Sequence, residues 1–279
     1  MIEFRDVHAS YDGTIPILKG VSFTIDDGEF VAFVGTNGAG KSTTMRLMNG
    51  LLKPESGQVL VDGVPTTQLK TSELARRVGF LFQNPDSQIC NNTVRDELMF
   101  SFRAIGADDA QAAQRVDDII AEFEFDPDDD PFLLNRGTRQ LLALASTVVL
   151  GTPVVILDEP TTGLDYRECM KVLEVIRRLH QAGTTVIMVC HDMEVVGDFA
   201  ERVIVMSDGR VVDEGATFDV LRNRETLAKA SLVPPQIVDI SLALPLMNHK
   251  FASTPLACAN TLAEMQAAVE STLEEGGVR

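Results

Sequence analysis

The sequence predicts an α/β protein. Its parts are a parallel-sheet core, a small antiparallel β subdomain, a helical subdomain and a C-terminal extension. Three observations carry this reading. Continuously apolar runs recur at Phe30–Val34, Val154–Leu157, Thr185–Cys190 and Val203–Met206, as strands buried on both faces require. A glycine-rich stretch, Gly35 to Thr43, follows the first run and precedes helical spacing at Met45, Leu47, Met48, Leu51 and Leu52. Between Asn84 and about Ser146 helical patterns dominate, and beyond Gly215 the chain becomes proline-punctuated.

The glycine stretch reads Gly35-Thr36-Asn37-Gly38-Ala39-Gly40-Lys41-Ser42-Thr43. Its spacing is the P-loop pattern G-x-x-x-x-G-K-[ST], so the core is that of a P-loop NTPase. Backbone N–H groups cradle phosphate oxygens only where no side chain blocks the approach, hence the glycines. The helix N-terminus adds positive partial charge. Lys41 supplies a point charge for the β- and γ-phosphates, and Ser42 offers its hydroxyl to Mg²⁺. The competing reading, a plain glycine turn, does not account for the flanking strand and helix.

Taken in order, residues 2–30 read as strands separated by turns at Tyr11-Asp12-Gly13 and Asp26-Asp27-Gly28. After the P-loop helix, Gln58–Val61 and the Asp62-Gly63 turn signal a hairpin of the small antiparallel sheet. Val78–Phe82 reads as a strand ending at Gln83. Helices follow at Val94–Phe102 and Ala110–Phe123, the second with apolar Val116, Ile119, Ile120 and Phe123 at helical spacing. The acidic run Asp126 to Pro131 breaks that helix. It reads as a solvated loop, with a metal site as the alternative. The apolar stretch Leu141 to Leu157, interrupted by Gly151-Thr152-Pro153, reads as helix, turn and buried strand, and is too short to span a bilayer. A helix is expected from about Tyr166 to Leu179, and a turn at Asp208-Gly209-Arg210. The main domain is placed at residues 1–215, with its helical subdomain at about 84–150, and the extension at 216–279. In the extension, Thr261-x-x-Glu264 resembles a capping box. Leu262, Met265, Val269 and Leu273 form an apolar stripe, read as intrachain packing with a dimer contact as the alternative.

Composition narrows the function. The 279 residues carry 41 acids against 24 bases, a net charge of −17. That balance argues against a nucleic-acid partner, which calls for a basic face. The four cysteines, Cys90, Cys169, Cys190 and Cys258, show no metal spacing and read as reduced thiols, Cys90 as packing. The N-terminus shows no signal-peptide pattern.

A second motif carries chemistry. The run Val154–Leu157 delivers Asp158 and Glu159 at a strand's carboxyl end, where open α/β sheets bind ligands. Asp158 is read as holding Mg²⁺ directly or through water. Glu159 is read as polarising the water that attacks the γ-phosphate.

Together, Gly35–Thr43, Gln83, Asp158-Glu159-Pro160-Thr161-Thr162-Gly163-Leu164-Asp165 and Cys190-His191-Asp192 stand in the order found in ATP-binding-cassette ATPases. About the first 215 residues resemble that family. The resemblance implies that Gln83 senses Mg²⁺ and the membrane partner, that Asp165 faces a second subunit, and that His191 contacts the γ-phosphate. It also implies that Tyr11 stacks on adenine; the alternative is a turn tyrosine packed on the small sheet. The chain departs from the family's Leu-Ser-Gly-Gly-Gln signature with Leu134-Asn135-Arg136-Gly137-Thr138. Asn135 is a good N-cap, and Gly137 keeps close backbone approach. Arg136 either helps hold phosphate or obstructs it. Arg136 also resembles variants in energy-coupling-factor ATPases. So do Phe82-Gln83-Asn84-Pro85-Asp86-Ser87-Gln88, like the Gln-loop extension of those ATPases, and Leu232–Gln236, like the start of their C-terminal region, which helps pair them.

The resemblance implies an ATP-hydrolysing subunit, with ATP and Mg²⁺ as cofactors, that powers import of a vitamin or transition-metal ion by ATP-driven dimer closure. The expected partners are a second ATPase, identical or related, an integral membrane transporter subunit and a substrate-binding membrane component. The expected location is the cytoplasmic face of the membrane, peripherally. Three alternatives are weaker, the first being an ATPase of another ABC importer class. A soluble cassette ATPase acting on nucleic acid or ribosomes usually has a coiled-coil insertion or tandem cassettes. A GTPase or small-molecule kinase is disfavoured by the lack of an Asn-Lys-x-Asp motif.

Overall fold

The computed structural model describes residues 1–11, 13, 15–107 and 109–276. Asp12 of the expected Tyr11–Gly13 turn lies outside the described residues. Two sheets share one core. The first is antiparallel and contains β1 (Ile2–Ala9), β2 (Leu18–Ile25), β4 (Ser56–Val61) and β5 (Val64–Pro65), in the order β2-β1-β4-β5. The second includes β3 (Phe30–Gly35), β6 (Val78–Leu81), β7 (Val154–Asp158), β8 (Thr185–Val189), β9 (Arg202–Ser207) and β10 (Arg210–Ala216). Its order is β10-β9-β3-β8-β7-β6, parallel throughout except for β10.

The continuous apolar runs have their physical reason in β3. Phe30, Ala32 and Val34 face one core, while Val31 and Phe33 face the other. Alternate side chains leave a strand on opposite faces, so a strand covered on both sides is apolar at every position. The core between the sheets is joined by aromatic contacts. Phe4 stacks on Phe23 at 4.4 Å, and Phe23 meets Phe33 edge-on at 5.3 Å.

The helices are α1 (Lys41–Met48), α2 (Thr71–Leu74), α3 (Val94–Ile105), α4 (Asp109–Phe123), α5 (Arg136–Val148), α6 (Tyr166–Gln181), α7 (Met193–Phe199), α8 (Thr217–Leu221), α9 (Arg224–Lys229), α10 (Gln236–Met247) and α11 (Leu262–Gly276). Helices α3, α4 and α5 bury their own cluster, including Leu98, Val116, Ile119 and Leu142. α5 presents its opposite side, with Ala143 and Leu144, to the parallel sheet. This one helix therefore ties the helical layer to the sheet. The acidic segment 126–130 is a mostly exposed loop. Its carbonyls accept from the start of α3, Asp129 O from Val94 N and Pro127 O from Arg95 N. Among the described residues, no cluster of His, Cys, Asp or Glu there or elsewhere fits a metal ion, and no helix is long and apolar enough to cross a membrane.

Four expectations are corrected. The helix after the glycine loop ends at Met48, because Gly50 turns the chain with φ +73°, and Leu51 is exposed. Cys90 is exposed rather than packed. In α11, Leu262, Val269 and Leu273 are 61%, 43% and 59% exposed, whereas Ala268 is buried. The helix thus buries Ala268 and turns most of its apolar stripe outward, against the intrachain reading. Its cap is also shifted. Thr261 Oγ1 accepts from Glu264 N at 3.2 Å, but the Glu264 carboxylate reaches Asn260 N, one residue before the expected position.

Gly35, the last residue of β3, shows why glycine is required there. With φ +143°, a Cβ would lie 2.0 Å from Met206 O on β9. Gly35→Ala is expected to lower unfolding free energy by on the order of 3 kcal/mol. Gly63→Ala, whose Cβ would meet nothing, should cost only about 1 kcal/mol for its left-handed backbone. Denaturant unfolding of the two variants checks the difference.

Candidate functional site

Strand order assembles the site. β6, β7, β8 and β3 lie side by side, and each sends a functional residue off its carboxyl end: Gln83, Asp158 with Glu159, His191, and Gly35. A cleft of about 610 Å³ opens there, within the range of small-ligand sites. Among the residues lining it are Tyr11, Asn37, Gly38, Gly40, Lys41, Ser42, Thr43, Gln83, Glu159 and His191.

The glycine loop forms the cleft floor. A Cβ on Gly38 would meet nothing, so its backbone lies open. Gly40, at φ +99°, sits at the N-terminus of α1, and no side chain caps that helix end. An uncapped helix N-terminus behind a glycine loop suits an anion. Thr36 and Ala39 close the loop through Ala39 N to Thr36 O at 3.2 Å. Lys41 is buried, and its Nζ donates to Gly35 O at 2.8 Å and Thr36 O at 2.9 Å. Burial lowers the pKa of this ammonium, while the nearby Glu159 and Asp158 charges oppose that shift.

Ser42 Oγ donates to Asp158 Oδ1 at 3.2 Å. Asp158 is only 6% exposed. Burial raises its carboxyl pKa foremost, and the Ser42 bond partly offsets that. The pair offers adjacent hard oxygens of the kind Mg²⁺ prefers, and Mg²⁺ takes its other ligands from water and phosphate. These residues therefore fit that ion.

The Glu159 carboxylate is held from three sides. Gln83 Nε2 donates to Oε2 at 2.8 Å, Thr162 Oγ1 donates to Oε2 at 3.0 Å, and His191 Nε2 lies 2.9 Å from Oε1. Its backbone is left-handed at φ +52°, an uncommon conformation for a residue with a side chain, and one that clusters at functional sites. Glu159 N donates to Val189 O at 3.1 Å, which anchors that turn. Gln83 is thus brought to Glu159 rather than to the Ser42–Asp158 pair expected to share it.

Tyr11 stands at the lip of the cleft, 56% exposed. Its hydroxyl lies 3.2 Å from Thr43 Oγ1 and accepts from Arg46 Nη1 at 3.1 Å. The Arg46 guanidinium is 5.9 Å from the ring centroid. The ring is therefore tethered to α1 and not to the small sheet alone.

Asn135, Arg136, Gly137 and Asp165 do not line this cleft. They gather where α5 and α6 begin. Asn135 Oδ1 accepts from Thr138 N at 2.9 Å and caps α5. Arg136 Nη2 donates to Thr162 O at 3.1 Å. A Cβ on Gly137 would lie 2.1 Å from Glu168 Oε1, so a larger residue there would displace the Glu168 side chain. Asp165 caps α6 reciprocally with Glu168. The Cys190 thiol is pushed up to about 12, chiefly by burial.

Two contributors escaped the sequence reading. Thr162 is the third support of Glu159, signalled only by a hydroxyl three residues after a carboxylate. Arg46, on the exposed side of α1, had no motif to mark it.

A family model described as ABC transporter matches residues 18–162. The chain is 40% identical over 243 residues to a putative ABC transporter ATP-binding protein of Caldanaerobacter subterraneus, a match covering 86% of this chain but 43% of that relative. The chain thus spans less than half of that relative's length. It is 33% identical over 282 residues to the energy-coupling factor transporter ATP-binding protein EcfA of Methanocaldococcus jannaschii, covering 99% of each. Among solved structures it superposes on CbiO1 of Clostridium perfringens, described as part of the ABC transporter complex CbiONQ. The TM-score is 0.73 and the identity 28%, over 90% of this chain and 98% of that one. With the glycine loop, Glu159 and His191 around one cleft and Asp158 bonded to Ser42, these matches show that the chain belongs to the ABC transporter ATP-binding family, as an ABC-type ATPase resembling the energy-coupling-factor ATP-binding subunits.

Proposed function

We propose that this chain is the ATP-hydrolysing engine of an energy-coupling-factor importer for a vitamin or transition-metal ion. Residues 1–215 form the working cassette, with the helical subdomain at about 84–150, and residues 216–279 form an extension that helps pair two cassettes. The chain sits peripherally on the cytoplasmic face of the membrane. It acts on an integral membrane subunit and, through it, on a substrate-binding membrane component.

One observation carries the reading: the site is divided. The P-loop residues and Glu159 converge in one cleft, while Asn135, Arg136, Gly137 and Asp165 lie outside it. A second cassette, identical or related, supplies those residues to this chain's nucleotide, and the arrangement is reciprocal.

The residues then take these roles. Gly35 to Gly40 and the start of α1 receive the phosphates, and Lys41 turns its ammonium from the loop carbonyls to the β- and γ-oxygens. Ser42 and Asp158 are the residues that would hold Mg²⁺, which would supply neutralisation of the charge developing on the phosphates. Glu159 accepts a proton from the attacking water, held in aim by Gln83, Thr162 and His191. Tyr11 offers its ring face to adenine. Binding draws the two cassettes together, hydrolysis releases them, and the region of Gln83 passes the motion to the membrane subunit.

Affinity purification from gently solubilised native membranes tests this. A multi-spanning membrane protein, with or without a second cassette ATPase, is expected to accompany the chain. Recovery of only soluble nucleic-acid or ribosomal proteins would overturn the importer reading.

A further inference from the structure

Gln88 stands outside the nucleotide cleft, yet its amide joins two parts of the site. Its Oε1 accepts from Phe82 N at 3.2 Å. Its Nε2 lies 2.8 Å from Ala143 O, 3.0 Å from Ser146 Oγ and 3.0 Å from Thr147 Oγ1. Phe82 immediately precedes Gln83, whose own amide donates to Glu159. Ala143, Ser146 and Thr147 belong to α5, the helix that begins at Arg136 and Gly137.

The position of this tie matters. The ladder between β6 and β7 ends at the pair Leu81–Leu157. Past that point no strand partner fixes Phe82 and Gln83, and Gln88 supplies the bond that the ladder no longer gives. A second tie runs in parallel, with Arg139 Nη1 on α5 lying 3.3 Å from Asp86 Oδ1. Beneath them β6 and α5 are in close contact, since a Cβ on Gly79 would lie 3.1 Å from Thr147 O. The segment from Phe82 to Gln88 is therefore fastened to α5 at two places.

We propose that Gln88 is a positioning residue for ATP hydrolysis: it locks the backbone that carries Gln83 onto α5, and so sets the Gln83 amide against the Glu159 carboxylate. Whatever tilts α5 then moves Gln83 with it. The proposal rests on the reading of Glu159 as the water-polarising residue and Gln83 as its support.

The test uses the full-length chain with the partners that accompany it, as Gln88→Leu, Gln83→Ala and the double variant. Gln88→Leu is expected to lower kcat by about tenfold to a hundredfold, the scale of a displaced catalytic group. ATP Kd should stay within about twofold, because the P-loop is untouched. In the Gln83→Ala background, Gln88→Leu should add less than about a twofold loss, since residues acting through one another are not additive. Equal losses in both backgrounds would show a merely structural role and overturn the proposal, as would an unchanged kcat in the Gln83-intact protein. If Gln88→Leu does not fold, Asp86→Asn loosens the other tie at a half-exposed side chain. The same non-additivity is then expected, and additivity or no effect overturns the proposal. Hydrolysis surviving Glu159→Gln would bring down the underlying reading as well. Hydrolysis lost there but additive at Gln88 would remove only this proposal.

Discussion

Glu159→Gln is expected to reduce ATP hydrolysis by about a hundredfold to ten-thousandfold while ATP still binds, the range that general-base catalysis contributes. The substitution is nearly isosteric, so the left-handed turn at φ +52° and the bond from Glu159 N to Val189 O are retained. What changes is charge and hydrogen-bond sense. A carboxylate accepts at both oxygens, here from Gln83, Thr162 and the His191 ring. A glutamine accepts at one oxygen and presents an NH₂ at the other, and that NH₂ then faces either the Gln83 amide or His191. The group loses its ability to take a proton from water, whereas the glycine loop and Lys41 keep their grip on phosphate. Phosphate release at saturating nucleotide, together with nucleotide Kd, checks both halves. In the proposed mechanism, binding without turnover also traps the closed pair, which gel filtration with ATP would detect as a stable dimer. Undiminished phosphate release would remove Glu159 from the role of base.

The same residues show which parts of the molecule are legible in the sequence. β3, β7, β8 and β9 are visible because burial on both faces leaves no polar position to obscure them. Asp158 and Glu159 are visible because the apolar run stops abruptly at two carboxylates. Strand order is not legible. That β8 lies between β3 and β7, and brings His191 within 2.9 Å of Glu159, follows from crossovers that no local pattern encodes. Thr162 is hidden for a related reason, since its role depends on the left-handed turn at Glu159, and a left-handed glutamate is not forecast by residue type. The α11 stripe misleads in the opposite direction. Helical spacing reports that a face is apolar, but Leu262, Val269 and Leu273 are exposed in the single chain. Periodicity does not say what covers the face.

Lys41→Ala should cost about 3 kcal/mol or more of ATP binding free energy, roughly a hundredfold in Kd or worse, as expected for a charged hydrogen bond to phosphate in a desolvated site. The ammonium is buried and held inside the loop by Gly35 O and Thr36 O, from which it turns to the β- and γ-oxygens. Burial, which lowers its pKa, disfavours the isolated charge and makes its pairing with phosphate correspondingly more favourable. Removing it also leaves the buried Gly35 carbonyl and the part-buried Thr36 carbonyl without this donor, so the fold itself should lose about 1–2 kcal/mol. The two effects separate in one experiment. ATP stabilises a folded protein according to its affinity, so the nucleotide-free melting temperature of Lys41→Ala should stay near that of the parent while the rise on adding ATP disappears. A retained rise would mean that phosphate is held without Lys41, and the P-loop assignment would fall. A collapse of the nucleotide-free melting temperature would instead mean that the ammonium serves mainly as a brace between Gly35 and Thr36.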